Sequence, residues 1–436
     1  MNVDRPLANT PALVLLFLAN TISGAAQGIS LIAIPWYFID NLKAPVVFSQ
    51  FYSIFTLLSI GWVVYSGALI DKYSRKNIFL ILTAVCGSVA LGVSAYGFVT
   101  GPLGTLPTLL VMGITLLNFN LHYPTLYAFA QEMTYKANYA RIISYLEIQG
   151  QTTNMLSGAL AALLLVGVKA NEPLHLMGFK VSLPFNIPAW ELHEVFLMDG
   201  ITYAVAFVLI LAIRYKRQTT FNPEEGGAWQ RIRTGFDYLR ARPRLLLFGV
   251  MSYGVFVTVL VQDRILLPEY VRLQLQAGAD VFASSDMLFA AGALFSGVIT
   301  RRLFGKRSPV AAVSLLMLLL SLGYVFMAFN TSIRYLFLFS FFYGYVNTGV
   351  RIMRVTYLFN TVSNDKIGRI LSFFKVADTT MRGLFIALFT LSFFHEENNI
   401  RFGYLVFGIF ILLCGLFIIP TIKPLTAQLK KLSHEP

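Results

Sequence analysis

The sequence predicts an all-α integral membrane protein of about twelve transmembrane helices, built as two pseudo-symmetric six-helix halves. Three observations support this fold class. First, 56% of the 436 residues are apolar and only 13% are charged, whereas soluble domains are about a quarter charged. Second, long apolar blocks alternate with short charged connectors along the whole chain. Third, short segments of the first half recur in the second half at a nearly constant spacing.

Apolar runs bounded by charge, proline or glycine mark the individual helices. Backbone polar groups in a bilayer must bond within their own segment, so these runs are expected to be helices and not open strands. The predicted helices, numbered 1 to 12, span residues 12–38, 46–70, 77–99, 104–130, 142–168, 194–214, 244–270, 282–300, 309–329, 333–360, 370–394 and 401–421.

The longest charged connector between predicted helices, which lies between helices 6 and 7, divides the chain into halves. It contains an amphipathic stretch from Trp229 to Leu239. It predicts an N-terminal half, a cytoplasmic connector, a C-terminal half and a cytoplasmic tail, at residues 1–214, 215–243, 244–421 and 422–436.

The distribution of positive charge predicts the topology. An even number of helices puts both termini on one side, and the predicted outside segments contain few positive residues, namely Lys43, Lys169, Lys180, Arg272 and Arg334. By the positive-inside rule both termini are cytoplasmic, in a plasma membrane such as the bacterial inner membrane. Apolar alternation around residues 178–185 predicts a short hairpin in the long outer segment 169–193, as a lid or as an ordered surface loop.

The net charge of +13 does not indicate a nucleic-acid partner, because the positive residues are spread over loops between apolar spans. Cys86 and Cys414 both lie in apolar runs without neighbouring metal ligands. The chain has no phosphate loop, metal cluster or nucleophile motif. We therefore expect neither an enzyme nor a bound cofactor.

An internal repeat relates the two predicted halves. Residues 65–72, at the end of helix 2, align with residues 295–302 at the end of helix 8, and residues 141–145 align with 369–373. Both offsets are about 230 residues, a period that defines the architecture. Two such parallel halves place substrate sites near the membrane midplane.

Residues 67–76 read Gly-Ala-Leu-Ile-Asp-Lys-Tyr-Ser-Arg-Lys and resemble the loop signature of the major facilitator superfamily. Residues 365–372 resemble the branch of macrolide-efflux proteins and enterobactin-type siderophore exporters. The resemblance implies a cytoplasmic gate formed by Gly67, Asp71, Arg75, Arg141 and Arg369, in which Asp71 pairs with nearby cations. A carboxylate at a helix N-terminus is favoured by the helix dipole. The alternative is a solvated turn whose charges serve topology alone.

Two departures weaken the expectation of drug/proton antiport while leaving the fold untouched. Helix 4 carries Asn118, Asn120 and His122 where many proton-coupled drug exporters have an arginine, and helix 5 lacks the Gly-Pro antiporter pattern.

Charged residues inside the membrane indicate a cavity or a buried pair, because a charge near the bilayer centre costs roughly 3 kcal/mol. Helices 10 and 11 each place three polar residues on one face, and these are Asn347, Arg351, Arg354, Lys375, Asp378 and Arg382. Four cations against one carboxylate predict an anionic substrate or headgroup, since guanidinium groups bind carboxylate and phosphate. Alternatively, Asp378 pairs with one cation while Lys375 and Arg354 extend to the lipid headgroups.

The N-terminal half is polar but nearly uncharged at depth. Its candidate substrate-binding residues are Gln27, Asn118, His122, Gln151 and Asn154. Glu147 is the candidate proton carrier of this half, since a desolvated carboxylate takes up a proton more readily. A gate pair with a basic residue is its alternative role. For His122 the alternative is a hydrogen-bonded packing residue.

In helix 7, Asp263 is a second candidate for proton coupling. It need not pair with its neighbour Arg264, because adjacent residues on a helix point about 100° apart. Asp378 is the third candidate. Asp199 and Asp286 lie closer to helix ends, where capping or interface roles are expected.

These features predict a secondary active transporter, most simply a monomeric proton-coupled antiporter for efflux of a small anionic or amphiphilic compound similar to a siderophore. Organic-anion uptake, lysophospholipid flipping and multidrug/proton antiport are alternative transport functions. A receptor or scaffold on a transporter fold is the non-transport alternative. The expected partners are the substrate, protons and the lipid bilayer.

Overall fold

The computed structural model describes residues 9–135, 138–170, 173–176, 179–182, 184–216, 228–304, 308–362, 364–396 and 399–434. The first six long helices are α1 to α6, at Thr10–Asp40, Pro45–Lys72, Arg75–Thr100, Thr105–Glu132, Tyr139–Val166 and Leu192–Ala212. The connector forms α7, Ala228–Arg240. The remaining helices are α8 to α15, at Pro243–Val261, Leu267–Glu269, Ala279–Phe304, Pro309–Phe329, Ile333–Thr361, Asn364–Phe389, Ile400–Ile418 and Ile422–His434.

The predicted all-α membrane fold is confirmed. The predicted helices 1 to 6 correspond to α1 to α6, helix 7 to α8 with its continuation, and helices 8 to 12 to α10 to α14. In the described part of the chain, nine helices or helix segments are long and apolar enough to cross a membrane. The chain is therefore a multi-pass membrane protein. Among the long helices, the described residues of α5, α12 and α13 are more polar and are not among these nine, and these three helices carry many of the predicted site residues.

The chain forms two compact units. One comprises residues 1–43, 61–176 and 180–225, and the other comprises 44–60, 177–179 and 226–436. The helix α2 thus begins in the second unit and ends in the first. The connector helix α7 belongs to the second unit, whereas residues 217–227 of the predicted connector lie outside the described residues. The boundaries at residues 214 and 244 stay predictions.

The same helix pairs pack within each unit. In the first unit α1 packs against α4, α5 and α6, and α3 packs against α6. In the second unit α8 packs against α12, α13 and α14, and α11 packs against α14. These pairs occupy equivalent places in the two halves, so the sequence repeat is accompanied by a repeat in packing.

Two glycines bring α10 and α12 into close contact in the second unit. A Cβ atom added to Gly344 would overlap the Phe289 carbonyl oxygen, and one added to Gly292 would overlap the Phe341 carbonyl oxygen. Small residues at helix interfaces let backbones approach when no hydrophobic effect drives the association of helices in lipid.

The segment between α5 and α6 contains a two-stranded hairpin, β1 at Pro173–Leu176 and β2 at Phe179–Ser182. A bridge between Val168 and Ile187 closes the base of this segment. These strands lie several residues earlier than the hairpin predicted around residues 178–185, and one of them precedes that range.

The seventh long helix is irregular at its end. After α8 it continues through a π-helical turn at Gln262–Leu266, the short α9, and a second π-helical turn at Tyr270–Gln274. Glu269 at the end of α9 is buried and bonds both carboxylate oxygens to Nδ1 of His395, at 2.8 and 2.9 Å. His395 ends a 3₁₀ turn, Ser392–His395, that follows α13. This ion pair ties the end of the seventh helix to the segment before α14.

The glycine contact predicts a large effect of one methyl group. We expect Gly344→Ala to lower the free energy of unfolding by about 2 kcal/mol or more, because overpacking a tight interface forces backbones apart. Gly297→Ala on α10 is the matched control, since nothing lies within 4 Å of its added Cβ. Thermal unfolding in detergent measures both. Equal melting temperatures for the two variants would contradict the close contact.

The His395 pair predicts a pH-dependent stability. Burial lowers the pKa of His395, whereas the hydrogen bond with Glu269 and the charge of Glu269 raise it. The two effects of Glu269 outweigh burial, so the pKa of His395 is raised above its usual value. The stabilisation is therefore complete below the unfolded pKa of about 6.5 and is lost as pH rises through the folded pKa. We expect the wild-type melting temperature to fall over this range and His395→Gln to remove that slope. His193→Gln serves as the control that keeps it.

Candidate functional site

The polar face of α13 provides the centre of the candidate site in the second unit. Lys375, Asp378 and Arg382 follow one another at i, i+3 and i+7, so all three project from one side of the helix. Lys375 Nζ lies 3.6 Å from Asp378 Oδ2. Lys375 also lies over the ring of Phe256, at 5.6 Å from the centroid. The predicted pairing of Asp378 with a cation is therefore present.

Asp378 is the most confined charged group of this face. Its side chain is 0% exposed, and neither carboxylate oxygen accepts a hydrogen bond within the described part of the chain. Buried polar groups are normally hydrogen-bonded, because an unpaired one loses its solvation without compensation. Lys375 offers a charge at ion-pair distance but no short hydrogen bond. Both carboxylate oxygens of Asp378 are consequently able to accept a hydrogen bond from a further donor.

Arg382 lies one turn further along and is also buried. Its Nη2 donates to Thr379 Oγ1 at 3.4 Å, while its Nε has no hydrogen-bond partner among the described residues. Tyr52 of α2, which belongs to the same unit, lies close enough for Arg382 and Asp378 to act on its phenol electrostatically. Arg382 therefore retains donor capacity for a further acceptor.

Arg354 of α12 is engaged with α8. Its Nη1 donates to the Ser252 carbonyl oxygen at 2.8 Å, and its guanidinium lies 3.6 Å from the ring centroid of Tyr253. The side chain is buried, so the alternative in which Arg354 extends to lipid headgroups is wrong. Arg351 and Asn347 on the same helix are half-buried.

A second charged cluster lies at the π-helical turn after α8. Arg264 Nη2 and Asp263 Oδ2 form an ion pair at 3.0 Å, although the two residues are adjacent in sequence. Asp286 of α10 lies close enough to interact electrostatically with both. Asp286 therefore faces this cluster and does not cap a helix. A π-helical turn contains more residues than an α-helical turn, so its side chains point in directions that differ from those of a regular α-helix. Such turns are frequent at functional sites.

In the first unit, several of the predicted polar residues are held by hydrogen bonds between side chains. His122 Nε2 bonds Asn20 Oδ1 at 2.8 Å, as a packing histidine would, and Asn118 Nδ2 donates to the Tyr203 hydroxyl at 3.2 Å. The Tyr127 hydroxyl donates to Glu147 at 2.8 Å.

Among the other predicted residues of this unit, Gln27 Nε2 and Gln151 Oε1 are buried and lack hydrogen-bond partners within the described residues, while Asn154 is exposed. Asp199 accepts a hydrogen bond from Ser30 of α1 at 2.9 Å, which is the expected interface role.

The predicted gate is described only in part. Arg75 is buried and lies 3.7 Å from Glu132 at the end of α4. Arg141 donates to the Tyr145 hydroxyl at 2.8 Å, and Arg369 is half-buried. The local surroundings of Gly67 and the side chain of Asp71 lie outside the described residues, so the pairing of Asp71 stays a prediction.

Sequence reasoning missed Glu132, Tyr253, Tyr52 and the approach of Asp286 to Asp263. Glu132 follows an apolar run, and its position opposite the basic loop was a usable signal. The tyrosines gave no signal, because they come from α2 and α8, which are distant in sequence from α12 and α13.

Comparison with known proteins identifies the family. The sequence matches the Major Facilitator Superfamily over residues 16–385. No curated protein sequence is significantly similar to the chain.

Solved structures with a similar fold include a variant of the nucleoside transporter NupG, at 12% identity and a TM-score of 0.71, covering 94% of this chain and 99% of that one. A variant of the peptide transporter POT has 12% identity, a TM-score of 0.68 and 95% coverage of both chains. The D-xylose-proton symporter has 12% identity and a TM-score of 0.62, covering 94% of this chain and 96% of that one. These identities establish the fold alone. The family match extends over most of the sequence, and the chain therefore belongs to the major facilitator superfamily.

Proposed function

We propose that this protein is a secondary active transporter that moves a small anionic or amphiphilic compound by alternating access, coupled to protons. One observation carries the proposal. The buried carboxylate of Asp378 lacks hydrogen bonds from any residue that the structure describes and lies beside Lys375, with Arg382 one turn away on the same face of α13. An inert helical bundle gains nothing from such groups, whereas a transporter uses them to bind charge.

The excess of positive charge at the site supports an anionic ligand. Lys375 and Arg382 provide two cations on α13 against the single carboxylate of Asp378, and Arg351 adds a half-buried cation on α12. Arg382 keeps an unpartnered Nε within the described residues. A carboxylate or phosphate would complete the donors of such a guanidinium group.

Asp378 gives the site a means of coupling to protons. While it is ionised, it neutralises Lys375 at 3.6 Å. Protonation removes this competing charge and leaves Lys375 to attract a substrate anion. Proton and anion therefore favour each other's binding, and the coupling free energy acts in both directions.

This mutual preference favours co-transport of proton and anion in one direction. Proton-driven efflux by antiport requires the opposite relation, in which proton and substrate compete for one group. A substrate with a cationic group that binds Asp378 itself would satisfy that relation, so an exporter of the macrolide or siderophore branch is the second candidate. Residues 365–372 are the sequence feature that favours it. Location in a bacterial inner membrane, cytoplasmic termini and a monomeric state complete the proposal.

Arg382 provides the first test. We expect Arg382→Ala to reduce uptake of an anionic substrate into proteoliposomes by roughly tenfold to a hundredfold, because a lost charge-assisted hydrogen bond costs about 1.5–3 kcal/mol. The assay screens citrate-type siderophores, lysophospholipids and cationic drugs under an imposed pH gradient. Lys43→Ala, an exposed cation elsewhere in the chain, is the control. Transport of cationic drugs with Arg382→Ala fully active would contradict the anionic site.

Asp378→Asn tests the coupling separately from binding. The amide keeps the shape of the side chain but cannot be ionised, so Lys375 stays available at every pH. We expect substrate exchange across the membrane to continue while accumulation driven by a pH gradient is lost. A variant that still accumulates substrate under the gradient would assign proton coupling to another group, for which Asp263→Asn and Glu147→Gln are the next variants to measure.

A further inference from the structure

The connector helix α7 lies at the level where two long helices begin. It ends at Arg240, and the spanning helix α8 starts at Pro243. One face of α7 packs against the start of α13, where a Cβ added to Gly235 would overlap the Arg369 carbonyl oxygen. An amphipathic helix held against the first turns of two membrane helices lies at the boundary between lipid and water.

The exposed stripe of α7 beside this packed face combines aromatic and basic side chains, and the ring of Phe236 at its edge also packs against Phe373 of α13, with ring centroids 5.4 Å apart. Trp229, Arg233, Phe236 and Arg240 follow one another at i, i+4, i+7 and i+11, which places them on one stripe. Trp229 is 73% exposed and Phe236 is 38% exposed, and both arginines are exposed as well. We call these four residues the α7 stripe. Tryptophan side chains are enriched at membrane–water interfaces, where the ring contacts the headgroup region, and the exposure of Trp229 is typical of that position.

The charge around the stripe is positive. Arg242 and Arg244 are exposed at the start of α8, directly after α7, while Asp237 is the acidic residue on the exposed side of α7. The guanidinium of Arg242 lies 3.9 Å from the ring centroid of Tyr238, which holds it near the helix. Among the side chains that the structure describes here, four arginines thus lie beside one carboxylate at the expected depth of lipid headgroups.

We propose that the α7 stripe binds anionic phospholipid headgroups, with Trp229 inserted at the headgroup level. Basic residues near a bilayer surface are attracted to anionic lipids, and this attraction decays within a Debye length. Phosphate groups on the lipid accept hydrogen bonds from Arg233 and Arg240, while the ring of Trp229 contacts the upper acyl region. Because α7 packs on the start of α13, which carries Lys375, Asp378 and Arg382, the lipid contact would also steady the helix of the transport site.

The test measures contact between Trp229 and lipid directly. Full-length protein is reconstituted in bilayers containing brominated phosphatidylglycerol or brominated phosphatidylcholine, and Trp229 fluorescence is obtained as the difference between wild type and Trp229→Phe. We expect a blue-shifted emission and quenching by the anionic lipid at least about threefold stronger than by the zwitterionic lipid. In the double variant Arg233→Gln, Arg240→Gln this preference should fall to about one, and high salt should weaken it in the wild type.

A matched double variant, Arg334→Gln with Lys169→Gln, removes the same charge from exposed positions elsewhere and should keep the preference. Emission typical of water without quenching by either lipid would overturn the proposal and leave the stripe to a soluble acidic partner. Equal quenching by both lipids, or a preference unchanged by the loss of the two arginines, would also overturn it, because the contact would then lack headgroup selectivity. These readouts do not depend on transport activity.

Discussion

The hydrocarbon core of a bilayer offers no hydrogen bonds, and both the fold and the candidate site depend on that constraint. Each backbone polar group must be bonded within its own helix, which makes long helices the only structure available to the apolar runs. Each charged side chain must find a partner inside the protein or remain costly. The pairs Lys375–Asp378 and Asp263–Arg264 are the outcome. Charges held in this way are few, confined and sensitive to any ligand that alters their balance.

The helices that carry these charges depend on their neighbours. In the part of the chain that the structure describes, α5, α12 and α13 are less apolar than the nine helices that could cross a membrane by length and composition. Packing therefore has to cover their polar faces. Gly292 and Gly344 allow α10 and α12 to touch through the backbone, and Gly249 accepts the ring of Phe374 from α13. The charged side chains of these helices therefore depend on close helix packing, because a helix that separated from its neighbours would expose those charges to lipid.

The two units share a packing pattern but differ in chemistry. In the first unit, hydrogen bonds such as those of His122 and Asn118 hold the polar side chains of the predicted site, and the buried ion pair of Arg75 with Glu132 lies at the end of α4. In the second unit, ion pairs and a stacked arginine take that place. A duplicated fold keeps its helix contacts because they depend on shape, whereas side-chain charge is free to diverge. The second unit is therefore the one that we expect to recognise charge.

The sequence by itself determined the membrane class, the number of long helices, the repeat and the faces of α12 and α13 that carry charge, because hydropathy and helical periodicity are local properties. It also located the amphipathic stretch that became α7. Tertiary structure decided what these faces meet. Arg354 is held by Ser252 and Tyr253 from α8, and Asp286 approaches Asp263 through a π-helical turn. Such contacts join residues far apart in the chain, and spacing along one helix contains no information about the neighbouring helix or about a turn that departs from the regular period.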